Sequence, residues 1–173
     1  MNKQELETCI NEYGRDIYSF CKYLASNSQD ADDLYQDTFL TAMEQYERID
    51  STQNPKSYLL SIALRIWKNR KRKFAWRKRI ADVLLLAEEA DGAEENVTDF
   101  SPEEVTLERE RRIVVRQTVN NLPERLKIIV LLYYMEELSV SQIAATIHIP
   151  EGTVKSRLYH ARKILEEELE LLL

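Results

Sequence analysis

The sequence predicts an all-α protein of two small helical domains joined by an acidic linker, and three observations carry that expectation. Apolar residues recur at steps of three and four over long stretches, and no strand-like alternation competes with them. Only 3 glycines and 4 prolines interrupt the 173 residues, too few for a turn-rich β fold. Charge falls in blocks: residues 1–50 carry 11 acids and 4 bases, residues 65–79 nine bases and no acid, and residues 81–110 11 acids and one arginine, Arg109.

The first helix is read from Leu6, Cys9, Ile10, Tyr13, Ile17, Phe20, Cys21 and Leu24, which share one helical face. After a polar break at Ser26–Gln29, a second helix is expected from about Asp30 to Arg48, burying Ala31, Leu34, Tyr35, Thr38, Ala42 and Met43. Asp50–Pro55 reads as a loop. A third helix starts near Lys56 and runs through Leu59, Ile62, Ala63, Ile66 and Trp67 into the basic block. Residues 81–100 lose their period after Leu86 and read as the linker. Ser101-Pro102-Glu103-Glu104 has the form of a capped helix start, with Pro at the first helical position. That helix is expected to end near Asn120, before Leu122-Pro123, and another to run from about Glu124 to Glu136, burying Leu126, Ile129, Val130, Leu132 and Tyr133. Ser139-Val140-Ser141-Gln142 is a second capping box that opens a short helix to Ile147. A turn over 148–151, with His148 as a turn residue, leads into a last helix and its acidic tail. The expected domains are therefore 1–80 and 101–173, with the linker at 81–100.

Composition narrows the function. A net charge of −6 hides two basic surfaces among acidic blocks, and one surface cannot suit partners of both signs, so at least two kinds of partner are expected. No stretch approaches 18 uninterrupted apolar residues, and the opening residues lack a secretory apolar core, so a cytoplasmic protein with no membrane insertion is expected. Cys9 and Cys21, twelve residues apart on one helix, would lie roughly 18 Å from each other, too far for a disulfide. With two histidines, no Glu-x-x-His pair and no glycine-rich phosphate loop, neither an enzyme nor a bound cofactor or metal is expected.

Residues 139–165 have helix-turn-helix spacing: a short helix, a four-residue turn and a longer helix. Ile143, Ala144 and Ile147 face Val154, Leu158, Ala161 and Leu165, which leaves Thr153, Lys155, Ser156, Arg157, Tyr159, His160, Arg162 and Lys163 largely outside. Cations, hydroxyls and the small Gly152 suit phosphates and base edges, so DNA binding is the favoured reading.

Leu122-Pro123-Glu124-Arg125, Leu138-Ser139-Val140-Ser141-Gln142-Ile143-Ala144 and, above all, Ile149-Pro150-Glu151-Gly152-Thr153-Val154-Lys155-Ser156-Arg157-Leu158-Tyr159-His160-Ala161-Arg162 resemble region 4 of bacterial sigma factors. More narrowly, they resemble the extracytoplasmic-function group of the sigma-70 family. Asp30-Ala31-Asp32-Asp33-Leu34-Tyr35-Gln36-Asp37-Thr38-Phe39-Leu40 resembles that group's region 2.2. The resemblance covers essentially the whole chain.

The resemblance implies a polymerase subunit that directs promoter-specific initiation through −10 and −35 elements. Core RNA polymerase would be held by Asp33, Leu34, Gln36, Asp37 and Leu40 on the β′ clamp helices, with further contact to the β subunit. The −10 element would meet Arg48, Lys56, Tyr58, Ser61, Arg65, Lys68, Asn69 and Arg72, with Tyr46, Trp67 and Trp76 as further candidate stacking planes and Arg70, Lys71 and Lys73 as further cations. The −35 element would meet Glu151, Gly152, Thr153, Lys155, Ser156, Arg157, Tyr159, His160 and Arg162. An anti-sigma factor is implied by the family alone. The chain departs from the group at Leu64-Arg65, where many members carry an Arg-Asn-like pair, and at His160, where arginine is commoner. The alternative is a stand-alone helix-turn-helix regulator that is not a polymerase subunit; it shares the C-terminal motif but gives the acidic helix at 30–40 no purpose.

Overall fold

The computed structural model describes residues 2–48, 54–84 and 107–172, and the chain divides into two compact units, Met1–Val97 and Thr98–Leu173. The described residues form helices joined by short turns, with no strand among them. Most of the linker expected at 81–100, the helix start expected at 101–104 and the loop residues 49–53 lie outside the described residues.

The first unit holds α1 (Lys3–Leu24), α2 (Ser28–Gln45) ending in a 3₁₀ turn (Tyr46–Arg48), and α3 (Pro55–Leu84). Asparagine side chains define each start. Asn2 and Glu5 form a reciprocal capping box on α1 at 2.8 Å each way. Asn27 accepts from the Asp30 N–H at 2.8 Å, so α2 begins two residues ahead of the expected Asp30. Asn54 accepts from the N–H groups of Lys56 and Ser57 at 3.0 and 3.3 Å, with Pro55 at the first helical position. The three helices close on Leu6, Ile17, Phe20, Leu34, Thr38, Phe39, Leu59, Leu60, Ile62 and Leu64. Phe39 takes the buried place that periodicity assigns to Met43, which is exposed. The buried strip of α2 is wide enough to take residues 38 and 39 side by side, and it has turned away from the core by residue 43. Leu64, half of the Leu64-Arg65 departure, is a core residue, and Thr38 bonds back to the Leu34 carbonyl at 2.7 Å.

The second unit holds α4 (Leu107–Asn121), α5 (Glu124–Val130) continuing as a π-helical turn (Leu131–Met135), α6 (Val140–Ile147) and α7 (Glu151–Leu172). Leu122, Leu126, Val130 and Ala161 form one cluster, against which Val119, Ile164 and Leu165 pack. Ser139 caps α6 and Gln142 returns the bond, at 3.2 and 2.9 Å. Two non-glycine residues in the left-handed region bracket α6: Glu137 before it and the capping His148 after it, each with φ 56°. His148 thus occupies a turn, as expected.

Candidate protein- and nucleic-acid-binding surfaces

Three helical surfaces carry the residues singled out from the sequence. On α7, Val154, Leu158 and Ala161 are buried against the unit's core. The helix is therefore held along its length with the opposite side outward, where Glu151, Gly152, Lys155, Ser156, Tyr159, His160 and Arg162 are exposed. Thr153 and Arg157 flank the buried strip and are half-buried. A Cβ on Gly152 would meet nothing within 4 Å, so the fold itself does not demand glycine there. Arg162 is not loose. Its Nε–H donates to the Tyr134 hydroxyl at 2.7 Å, and its guanidinium carbon sits 5.6 and 5.7 Å from the Tyr133 and Tyr134 rings. The Tyr134 hydrogen bond is the main cause that pushes the Arg162 pKa up. The π-helical turn brings these two consecutive tyrosines to α7, an arrangement that periodicity did not reveal.

On α3, Tyr58, Ser61, Arg65, Lys68, Asn69 and Arg72 fall within an arc of about 100° at helical spacing. Tyr58 and Ser61 are half-buried at its start, and Arg65, Lys68, Asn69 and Arg72 are exposed. The Ser61 hydroxyl donates to the Tyr58 carbonyl at 2.7 Å, and Arg72 donates to Asn69 Oδ1 at 3.2 Å. Lys56 does not belong to this arc. It lies on the other side of α3, its side chain is 14% exposed, and its Nζ contacts Asp16 of α1 at 2.8 Å. It is a tie between helices rather than a group facing DNA. Trp67 is half-buried with the Lys71 Nζ 4.8 Å over its ring. The Arg48 side chain lies outside the described residues.

On α2, Asp33, Gln36, Asp37 and Leu40 are exposed along one face, with Leu40 at 54% the apolar member, and Met43 extends the same face. Leu34 is 1% exposed and cannot touch a partner; its part is to hold the face in place from within the core. Asp37 is bonded to Arg70 of α3, so one acid of this face is already paired with one cation of the basic block. Tyr18 donates to Asp32 at 2.7 Å, and that bond chiefly raises the tyrosine pKa.

Residues 9–77 match the family model of sigma-70 region 2, and residues 112–165 match that of sigma-70 region 4. The chain is 31% identical to the ECF RNA polymerase sigma-E factor of Haemophilus influenzae over 99% of its own length and 91% of that protein's. It belongs to the extracytoplasmic-function group of sigma-70 factors. It is also 28% identical to the ECF sigma factor SigW of Bacillus subtilis, over 92% of this chain and 86% of that one. Two solved structures share the fold. They are the sigma factor RpoE in complex with the anti-sigma factor NepR from Bartonella quintana (TM-score 0.76, 21% identity, 96% of this chain and 98% of that one) and CnrH in complex with the cytosolic domain of CnrY (TM-score 0.66, 18% identity, 98% and 90%).

The protein is thus an RNA polymerase sigma factor that directs promoter-specific transcription initiation, a role that its family carries out without chemistry of its own. The region 2 match takes in the exposed face of α2 and the α3 arc, and the region 4 match takes in α6 and α7 up to Leu165. Among the described residues, no group of three or more His, Cys, Asp or Glu could hold a metal ion, and no helix is long and apolar enough to cross a membrane.

Proposed function

We propose that this sigma factor divides its work among the three surfaces: α2 docks on core polymerase, the α3 arc captures the −10 element, and the outer side of α7 reads the −35 element. The domains that carry these roles are 1–80 and 101–173, joined through 81–100. The observation that carries the reading is the polar and cationic arc Tyr58–Arg72, laid along a helix whose inner side is locked in the core. Exposed cations beside a stacking plane and an amide are what single-stranded bases and their phosphates require. The α2 face supplies acids around Leu40, which suits a basic helical partner.

With a net charge of −6, the free chain binds duplex DNA weakly, since its acidic blocks oppose the phosphate-driven term, and core polymerase presents the two basic surfaces together. The protein works in the cytoplasm, without a catalytic site, and an anti-sigma factor covers one or both units when it is held inactive. The last point is supported by the two similar folds solved with such partners.

The test is reconstituted transcription with core RNA polymerase from a promoter library. Initiation at aligned start sites is expected only when both are present, and Asp33→Lys combined with Leu40→Asp should cut core affinity at least tenfold without changing the melting temperature. Unchanged core affinity in that variant would overturn the assignment of α2.

A further inference from the structure

α3 changes character along its length. As far as Arg70 its inner side is filled by residues such as Leu60 and Ala63; there Arg65 and Lys68 point outward, while Lys56 and Arg70 are paired with Asp16 and Asp37. From Lys71 to Ile80 every residue is exposed. Within these ten residues stand six cations and no acid, and at about 100° per residue they point around the full circumference of the helix. Lys73 and Arg77 repel each other at i,i+4 with no intervening acid to relieve them. Phe74 at 72% and Trp76 at 64% stand exposed among them, on opposite sides of the rod. A merely solvated helix end needs neither the uniform charge nor the two aromatics.

A ligand that is negative on one side would answer only half of these cations. The major groove of duplex DNA answers cations on both flanks of the rod at once, because a helix about 10–12 Å wide fits a groove about 12 Å wide with phosphates along both walls. Chain order says which duplex. α3 reads the −10 element with its first half, and the chain leaving its second half leads to the unit that reads the −35 element. The DNA between those elements is the spacer. We infer that α3 beyond Lys73 is a third promoter-binding element, which takes the spacer duplex beside the −10 element through its phosphates. The inference rests on the sigma-factor reading above. Residues 74–84 span about 16 Å, the length of roughly five base pairs.

The experiment uses the full chain with core polymerase and two templates of one promoter. One is duplex from the −35 element to the start site; the other is a fork whose duplex stops at the upstream edge of the −10 element. The variant is Arg77→Ala, Lys78→Ala, Arg79→Ala, in which alanine preserves the helix. Its affinity for the complete template should fall at least tenfold, and the slope of log K against log salt should shrink by about 2–3, close to one per lost phosphate contact. Its affinity for the fork should match that of the unsubstituted protein. Equal losses on both templates, or no loss on either, would overturn the inference. A failure of the unsubstituted protein to initiate on the complete template would instead sink the sigma-factor reading beneath it.

Discussion

Helices α7 and α3 both carry exposed cations, yet they are held in opposite ways. α7 is anchored through Val154, Leu158 and Ala161 beneath its exposed cations, so the surface proposed to read the −35 element is already fixed in the free protein. α3 is anchored only in its first half, and two of its basic side chains are spent inside the protein: Lys56 on Asp16 and Arg70 on Asp37. A reader of duplex base edges gains from a rigid rail, because groove contacts demand fixed positions. A surface that captures unstacked strands needs planes and charges, and it tolerates a looser rod.

Packing can be broken first, where the effect is largest. Leu158→Ala, which empties a buried site under the recognition face, should destabilise the second unit by about 2–5 kcal/mol and abolish −35 binding together with the fold. Thermal unfolding followed by circular dichroism reads the first effect and duplex binding the second. The division of labour among α3 cations gives the next contrast. Lys56→Ala should cost about 1 kcal/mol of stability through the lost tie to Asp16 and leave −10 strand affinity unchanged. Arg72→Ala should do the reverse, leaving the melting temperature alone while lowering strand affinity and reducing the salt slope by about 0.7. If both variants lose DNA affinity alike, the two faces of α3 are not separate. Gly152→Ala is the finest probe. Alanine meets open space in the free protein and should raise stability by up to about 1 kcal/mol. On the proposed close approach of the DNA backbone it should also weaken −35 binding several-fold; a variant that gains stability and keeps its affinity would show that the approach is not close.

Local rules made the helix-turn-helix legible. The capping box of Ser139 with Gln142 and the break at Pro150 act within a few residues, and the structure places the ends of α6 and α7 where those signals lie. What escaped was long-range or geometrical. Nothing near Lys56 in sequence announces Asp16, forty residues away, so a helix-start lysine read as a DNA contact is in fact a strut. Leu34 sat in the middle of a recognisable motif and was grouped with its exposed neighbours, although its own period puts it in the core. Met43, expected in the core, is exposed and Phe39 is buried instead, because the buried strip of α2 is broader than a strict three-four pattern. Tyr133 reads as a core residue of an ordinary helix, and the wider winding of Leu131–Met135, which brings it and Tyr134 to Arg162, left no signal in the sequence. Glu137 adopts φ 56° without the glycine that would have marked the corner.

The two cysteines have a practical consequence. Both are buried and neither is disulfide-bonded, and desolvation followed by the nearby Glu12 and Glu5 carboxylates raises the Cys9 pKa, which keeps its thiolate scarce at neutral pH. The native protein should therefore be nearly silent toward maleimides. Spin labels or fluorophores can be attached at one new surface cysteine in each unit without first removing the natural thiols, and the distance between the units can then be followed as polymerase and promoter take hold.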